Sequence, residues 1–157
     1  QEHVRGEYVI IQDADLEYDP KDIVSLLHEI ESKKCQVVYG SRVLSNPGNI
    51  KSQNFSHNLR ILGNIFLTKL SNILNNQNLT DAHTCYKLFK SDLFKSIKLE
   101  ESDFSFCTEI TTKISLLNID IFEIPINYNG RTYDQGKKIV ASDGLKAIWT
   151  LMKYRFF

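Results

Sequence analysis

The feature that most constrains the fold is a strand, a helix and a second strand that follow one another near the start of the chain. Tyr8 to Ile11 is a continuous apolar run rich in β-branched residues, which is typical of a buried parallel strand. Asp19 and Pro20 then supply an N-cap and a first helical residue. Val37 to Tyr39 is a second short strand, which ends at Gly-Ser-Arg. Because two strands joined through a helix form a βαβ unit, we expect an α/β fold with a largely parallel sheet flanked by helices.

Patterns of helix and strand continue along the rest of the chain. A long helix is predicted from Phe55 to Leu74, and its apolar face is wider than an ordinary core stripe. The other predicted elements are a strand at Tyr86 to Phe89, helices at Ser91 to Ser96 and Thr108 to Leu117, a strand at Ile119 to Pro125 and an amphipathic helix at Asp143 to Phe157. The sequence has no internal repeat and no domain linker, so we expect one domain over residues 1–157.

Composition excludes several classes of protein. Lys plus Arg and Asp plus Glu both number 19, so no net field favours nucleic acid or an anionic membrane, although a local basic surface stays open. We expect no nucleic-acid partner. Three cysteines without Cys-x-x-Cys spacing argue against a disulfide framework and against a zinc site, and they suit a reducing compartment. The sequence contains neither an apolar stretch long enough to span a bilayer nor the layout of a signal peptide.

Four acids crowd the segment directly behind the first strand: Asp13, Asp15, Glu17 and Asp19. In a parallel α/β sheet, ligands bind beyond the carboxyl ends of the strands. Side chains at i and i+2 of extended backbone point the same way, so we expect Asp13 and Asp15 to approach one divalent cation. Two carboxylates and the diphosphate of a nucleotide form an oxygen shell that suits Mg²⁺ or Mn²⁺.

An Asp-x-Asp pair alone is a weak motif, and three other interpretations compete with the metal site. One is a solvated turn whose acids cap the following helix, which is the role we favour for Asp19. A second is a phospho-acceptor aspartate at a strand end. The third is an EF-hand calcium loop. That loop is excluded because Tyr18 stands where it requires Gly and Val24 stands where it requires Glu.

Four segments in order resemble motifs of the inverting family 2 glycosyltransferases, which have the GT-A fold: GEYVIIQDADLEYDPKDI, VVYGSR, LTDAHTCYKLF and PINYNGRTYDQGKKI. Within that family they are most similar to the dolichyl- or polyprenyl-phosphate hexose synthases, which move mannose or glucose from a nucleotide-diphosphate sugar onto a lipid phosphate. The resemblance extends from about Arg5 to Phe156. The family's domain begins earlier, with a strand that carries a Pro-x-x-Asn-Glu segment. The resemblance therefore implies that residues 1–157 are the C-terminal portion of a single catalytic domain with a Rossmann-like sheet, incomplete at the N-terminus.

The resemblance also implies roles for the residues of the first three motifs. Asp13 would face the nucleotide and sugar, and Asp15 would ligate Mg²⁺ or Mn²⁺. Arg42 matches a basic residue that faces a phosphate; from spacing alone, it is equally well a solvated arginine at a strand end. Asp81 matches an acid near the sugar hydroxyls, and its alternative is a turn cap after Thr80.

The remaining motifs imply two further contributions. Glu109 matches the second acid of a Phe-x-Phe-Glu-x-Glu pattern, but Cys107 replaces the first acid, which weakens a catalytic assignment. Arg131, Lys137 and Lys138 lie in a loop that in relatives closes over the phosphates. Spacing alone favours a solvated basic loop there.

The implied chemistry is an in-line displacement at the anomeric carbon with inversion. A lipid phosphate is already anionic near neutral pH and needs no general base. The implied partners are a nucleotide-sugar donor, a lipid-phosphate acceptor and a membrane surface, with a cytoplasmic location at the face of that membrane. The helix from Phe55 to Leu74 either rests at the membrane interface, or packs in the core or against a further transmembrane region. Two other functions stay open: transfer to a sugar hydroxyl of a polysaccharide or surface glycan, and a catalytically inert binding fragment.

Overall fold

The computed structural model describes residues 1, 3–45, 55–102, 104–131 and 141–157, with the backbone alone for 55–60 and 141. Within these residues, the helices are α1 (Asp22–Ser32), α2 (Arg42–Ser45), α3 (Phe55–Asn75), α4 (Ser91–Ser96), α5 (Ser105–Leu116) and α6 (Ala141–Phe156). The strands are β1 (Tyr8–Ile10), β2 (Val37–Ser41), β3 (Lys87–Lys90) and β4 (Phe122–Pro125). Every predicted element that lies in these ranges is present. The polar segment from Ser45 to Ser52, whose Pro47 and Gly48 predict a loop, lies almost wholly outside them.

The strands form one mixed sheet in the order β1-β3-β2-β4. β2 and β4 are parallel, whereas β3 is antiparallel to both of its neighbours, β1 and β2. β1, β2 and β4 therefore run the same way, as the βαβ pattern predicts, and β3 runs against them. The α/β class is confirmed. The pairing is less parallel than predicted because β3 lies between the two strands of the βαβ unit, and no local pattern in β3 indicates its direction.

Helices cover both faces of this sheet. Leu26 and Ile30 of α1 pack with Val38 of β2 on one face. Ile110 of α5 packs with Val37 on the other face. Alternate residues of β2 thus point into opposite cores, as the period of a strand requires. The helical layers leave the ends of the strands open, and the candidate site lies at their carboxyl ends.

The start of α1 accounts for one of the four crowded acids. The Asp19 carboxylate accepts a hydrogen bond from the Lys21 backbone N–H at 3.0 Å. The Asp19 carbonyl also accepts the Asp22 backbone N–H at 3.0 Å, a tight first turn after which the α-helix begins. Asp19 therefore stabilises the turn that leads into α1, whereas the N-cap of the helix is Lys21, two residues later than predicted, and Lys21 makes no side-chain capping hydrogen bond.

The two apolar helix faces predicted from periodicity are largely on the outside. α6 packs on α5 and α3 through Ala147, Thr150 and Leu151, all of which are buried. The larger side chains Leu145 and Trp149 of the predicted apolar face are 70% and 68% exposed. Periodicity indicates that a helix has an apolar face, but small residues on the other side allow a closer approach to the neighbouring helices.

Gly40 in β2 is expected to be intolerant of a side chain. Its added Cβ would stand 2.6 Å from Cγ2 and 2.8 Å from Cδ1 of Ile126, which is only 2% exposed and has little room to move. Gly40→Ala should therefore lower the free energy of unfolding by about 1–3 kcal/mol. Gly63→Ala in α3 is the matched control: nothing lies within 4 Å of its added Cβ. There, alanine should leave stability unchanged or raise it by up to about 1 kcal/mol.

Urea denaturation of both variants measures these changes. Equal unfolding midpoints for Gly40→Ala and the wild-type protein would contradict the close approach of β2 to Ile126.

Candidate functional site

A pocket of about 470 Å³ opens where β1 and β2 end. Four acids line it, Asp13, Asp15, Glu17 and Asp143, together with the two arginines Arg42 and Arg131. Its remaining lining is mainly aromatic or otherwise weakly polar: Ile11, Tyr18, His83, Cys85, Phe104, Phe106, Cys107 and Tyr128. The structure thus brings together charged residues that are more than a hundred positions apart in the chain.

The acidic segment behind β1 is a turn. The Glu17 backbone N–H donates to Asp15 Oδ1 at 3.1 Å, and Leu16 has a positive φ of 61° and is 91% exposed. The backbone is therefore not extended between Asp13 and Glu17, which was the basis for predicting that Asp13 and Asp15 point the same way. The acids that converge on one positive group are Asp15 and Glu17.

That positive group is the Arg131 guanidinium. Its Nη2 lies 2.9 Å from Asp15 Oδ2, and its Nε lies 3.2 Å from Glu17 Oε1. The Arg131 backbone N–H also donates to Glu17 Oε1 at 2.8 Å, and the Tyr128 hydroxyl donates to Glu17 Oε2 at 2.7 Å. The hydrogen bond to Glu17 is the main cause that raises the pKa of Arg131. A guanidinium thus stands where a cation between these two carboxylates would lie.

This arrangement fits a divalent cation in its chemistry. Two carboxylate oxygens already approach one positive charge, and carboxylates are the ligands that Mg²⁺ and Mn²⁺ prefer. Within the described ranges, no group of three or more His, Cys, Asp or Glu side chains gathers into a complete site. The other ligands would therefore come from water and from the phosphates of a bound substrate, as is usual for Mg²⁺.

Arg42 lies in the pocket wall, and its guanidinium is paired with Asp81. Arg42 Nε lies 2.6 Å from Asp81 Oδ2, and Nη2 lies 2.8 Å from Oδ1. Burial alone would raise the pKa of Asp81, but the charge and hydrogen bonds of Arg42, helped by the Asn64 amide, hold it at about 2. The carboxylate is thus ionised and its side chain is fully buried. The pairing of Arg42 with Asp81 was not predicted.

Glu109 lies outside the pocket lining. Its side chain is fully buried in α5, and its carboxylate accepts the backbone N–H groups of Glu100 and Glu101, both at 2.9 Å. Lys113 Nζ lies 2.6 Å from its Oε1. These contacts brace the segment before α5. The catalytic assignment of Glu109 remains a prediction.

Lys137 and Lys138, and the loop 132–140 that carries them, lie outside the described residues. Of the basic residues predicted in that loop region, the structure therefore places Arg131 alone.

The aromatic side of the pocket was not predicted. His83 stacks on Phe104 with ring centroids 5.5 Å apart and an interplanar angle of 4°. Burial lowers the pKa of His83 to about 4, so this imidazole is neutral at physiological pH. Arg42 lies over the Tyr128 ring, 5.1 Å from its centroid. The sequence signals for these residues were the Pro-Ile-Asn-Tyr segment after the last strand, which contains Tyr128, and the Phe-x-Phe-Glu-x-Glu pattern, whose first Phe is Phe104.

Comparisons with known proteins agree with this architecture. A family model described as "Glycosyl transferase family 2" matches residues 1–98. The chain is 28% identical over 130 residues to the low-salt glycan biosynthesis hexosyltransferase Agl6 of Haloferax volcanii. The aligned residues cover 83% of this chain and 31% of that protein.

Among solved structures, the chain is similar to glucosyl-3-phosphoglycerate synthase from Mycobacterium tuberculosis, determined in complex with phosphoglyceric acid. The TM-score is 0.59 at 12% sequence identity, and the match covers 97% of this chain and 51% of that one. At this identity the likeness concerns the fold alone. The chain spans about a third of the length of the curated relative and about half of that of the solved structure.

Proposed function

Because the chain belongs to glycosyl transferase family 2, we propose that it acts in moving a hexose, mannose or glucose, from a nucleotide-diphosphate sugar to polyprenyl or dolichyl phosphate with inversion. Residues 1–157 would form the C-terminal portion of a single catalytic domain. The observation that carries the proposal is the pocket at the strand ends, where the carboxylates of Asp15 and Glu17 meet the guanidinium of Arg131 beside Arg42. Carboxylates can bind a cation and arginines can bind phosphates, so this combination suits a ligand that contains both.

The acids and the arginines of the pocket would have different roles in binding the donor. Mg²⁺ or Mn²⁺, held by Asp15 with Asp13 or Glu17, would neutralise charge on the departing diphosphate. Arg42 and Arg131 add positive charge to the lining of the same pocket. Since Asp81 holds the Arg42 guanidinium through two hydrogen bonds, Arg42 needs little reorganisation when negative charge develops.

The contacts of the buried acids favour an acceptor that is already anionic. A sugar hydroxyl needs a general base, whereas a lipid phosphate near neutral pH does not. The carboxylate of Asp81 is bonded to Arg42, and that of Glu109 is bonded to main-chain amides and Lys113. Two of the acids that matched family motifs are thus occupied by contacts within the protein, which supports the lipid-phosphate acceptor.

A second candidate is transfer to a sugar hydroxyl of a polysaccharide or surface glycan. The relative from Haloferax volcanii supports it, since its name describes a hexosyltransferase of glycan biosynthesis. Asp13 is an exposed acid in the pocket and would then be the natural base.

Radiolabelled transfer assays discriminate the candidates. The protein is incubated with GDP-mannose or UDP-glucose and Mn²⁺, and with either polyprenyl phosphate or a free oligosaccharide as acceptor. Product that forms with the lipid phosphate but not with the oligosaccharide supports the first proposal. Product that forms with the oligosaccharide but not with the lipid phosphate supports the second. Binding of neither nucleotide sugar in calorimetry would indicate an inert fragment and contradict both.

We place the proposed membrane contact on α3 and α6, which pack against each other. α6 exposes an apolar row at i, i+4, i+7 and i+11, and α3 exposes a similar row. These rows are Leu145, Trp149, Met152 and Phe156 on α6 and Leu62, Phe66 and Ile73 on α3. No helix in the described part of the chain is long and apolar enough to cross a bilayer.

The charge of these two helices suits an anionic surface. Together they carry five Lys or Arg residues and a single acid, Asp143, in a chain whose net charge is zero. An exposed apolar row with basic residues beside it is typical of a helix that lies in the membrane interface. Packing in the core was the other interpretation of the long helix. It applies only to the opposite face of α3, where Leu67 and Ser71 are buried.

Trp149 is the only tryptophan of the chain and reports directly on this contact. Phosphatidylglycerol vesicles are expected to shift its emission to shorter wavelength, because its ring, 68% exposed in the protein, would enter the headgroup region. Leu145→Asp should weaken vesicle binding about tenfold or more. Val24→Asp is the matched control, since Val24 is 70% exposed on α1 at the other face of the sheet. An unshifted emission spectrum would contradict the membrane contact and leave the proposed donor chemistry untouched.

A further inference from the structure

We propose that Asp81 and Glu123 are positioning residues, which together hold the guanidinium of Arg42 in the pocket wall for an anionic group of the substrate. The identity of that group, a donor phosphate, rests on the proposed function. The positioning itself rests on contacts among described residues. It differs from the role that the family resemblance implied for Asp81, a contact with sugar hydroxyls.

Asp81 uses both carboxylate oxygens inside the protein. Oδ2 accepts the Nε–H of Arg42 at 2.6 Å and its backbone N–H at 3.2 Å, while Oδ1 accepts Nη2–H at 2.8 Å. The amide of Asn64 donates to Oδ1 at 3.1 Å. The Asp81 side chain has no exposed surface and is absent from the pocket lining, whereas Arg42 is part of that lining. A ligand therefore meets Arg42 and not Asp81.

Glu123 fixes the backbone that carries Asp81. Its Oε1 accepts the Asp81 backbone N–H at 2.9 Å. Its Oε2 accepts the Thr80 backbone N–H at 2.6 Å and the Thr80 hydroxyl at 2.9 Å. One carboxylate thus accepts three hydrogen bonds from two consecutive residues. Glu123 lies on β4 opposite Tyr39 of β2, so the sheet itself sets its place.

The contacts of Thr80 lead back to Arg42, so these residues form a closed network of hydrogen bonds. The hydroxyls of Thr80 and Ser41 are 2.6 Å apart, and Ser41 immediately precedes Arg42. On its other side, the Arg42 guanidinium lies over the Tyr128 ring at 5.1 Å. Asp81 accepts hydrogen bonds from Nε, Nη2 and the backbone N–H of Arg42, but not from Nη1. A long side chain ordered in this way before the ligand arrives loses little conformational freedom on binding.

Removing either acid should release Arg42 without removing its charge. Asp81→Asn keeps the shape of the side chain but takes away the charge that pairs with the guanidinium. Glu123→Gln is the milder variant, because it replaces one accepting oxygen by an NH₂ group that faces N–H donors. Glu101→Gln is the matched control: Glu101 is a half-buried acid whose carboxylate bonds Lys153 and Tyr154, not Arg42.

The first experiment observes the position of Arg42 without any ligand. In ¹⁵N NMR spectra, the Arg42 Nε–H is expected to give a resolved signal that exchanges slowly with water. Its exchange should accelerate about tenfold or more in Glu123→Gln and in Asp81→Asn, and stay unchanged in Glu101→Gln. The backbone signals of the same spectra show whether each variant is folded. An Arg42 signal that is unaffected in folded Glu123→Gln would overturn the proposal.

The second experiment measures coupling between the residues. Dissociation constants for GDP and UDP are determined with Mg²⁺ for Arg42→Lys, for Glu123→Gln and for the double variant. Each single change should weaken binding about tenfold, and the double variant should bind no more weakly than Arg42→Lys, because both act through Arg42. Effects that multiply would overturn the proposal, since Glu123 would then act independently of Arg42.

The two experiments separate this inference from the proposed function. If the Arg42 signal responds to Glu123→Gln but the wild-type protein binds neither diphosphate, the positioning stands and the proposed donor is wrong. If both diphosphates bind and the Arg42 signal does not respond, the positioning is wrong and the proposed donor stands.

Discussion

Asp15→Asn is expected to lower sugar transfer at least about 100-fold and to weaken its dependence on Mg²⁺ or Mn²⁺. The carboxylate of Asp15 is one of the two that converge on a single positive group in the pocket. Its amide replacement has the same shape but no negative charge with which to hold a divalent cation. The measurement is the rate of transfer of labelled mannose or glucose to polyprenyl phosphate over a range of metal concentrations.

Asp19→Asn is the matched control for this prediction. Asp19 lies in the same acidic segment, but its carboxylate accepts the Lys21 amide in the turn before α1, and it is absent from the pocket lining. The side-chain oxygen of asparagine can accept the same hydrogen bond, so stability and transfer should both be retained. Transfer that survives Asp15→Asn at the wild-type rate would reject the metal-binding role of Asp15.

Arg131→Met is expected to change metal binding and transfer in opposite directions. Arg131 pairs with Asp15 at 2.9 Å and with Glu17 at 3.2 Å, so a divalent cation must compete with its guanidinium. Because Arg131 is 38% exposed and solvent screens the pairs, its loss should tighten Mn²⁺ binding only about two- to fivefold. Transfer should fall about 100-fold, since the variant lacks a positive charge near the leaving diphosphate.

Electron paramagnetic resonance of free Mn²⁺ measures the first effect, and the transfer assay measures the second. Arg131→Lys, which keeps the charge but not the forked geometry, should lie between the wild-type protein and Arg131→Met in both. Unchanged Mn²⁺ affinity in Arg131→Met would show that the guanidinium and the cation occupy different places.

The parts of the fold that local sequence could predict are those governed by local chemistry. The predicted α4, Ser91 to Ser96, coincides with the observed helix, and the Asp19 carboxylate accepts a local hydrogen bond in the turn before α1. The direction of β3 was not predictable, because its four residues are compatible with a strand of either direction. The outward position of the large α6 side chains was missed because the packed face is formed by Ala147, Thr150 and Leu151, of which the first two are small.

The sequence predicted which residues form the candidate site, but not which of them pair with each other. Asp13, Asp15, Arg42 and Arg131 were all predicted, and all line one pocket. Their pairings connect distant positions: Arg131 and Asp15 are 116 positions apart, and Arg42 and Asp81 are 39 positions apart. Glu123 belonged to no motif, because its role is to accept main-chain N–H groups across the sheet, and spacing along the chain carries no signal for such a contact.

The most direct test of the account is a crystal structure of the protein with Mn²⁺ and a nucleoside diphosphate, with anomalous data collected near the manganese edge. The account predicts an anomalous peak within about 2.0–2.5 Å of an Asp15 carboxylate oxygen and of a phosphate oxygen. It also predicts that the Arg131 guanidinium has moved from Asp15 towards the phosphates. A diphosphate bound in the pocket without such a peak, with the ion pair between Arg131 and Asp15 intact, would contradict it.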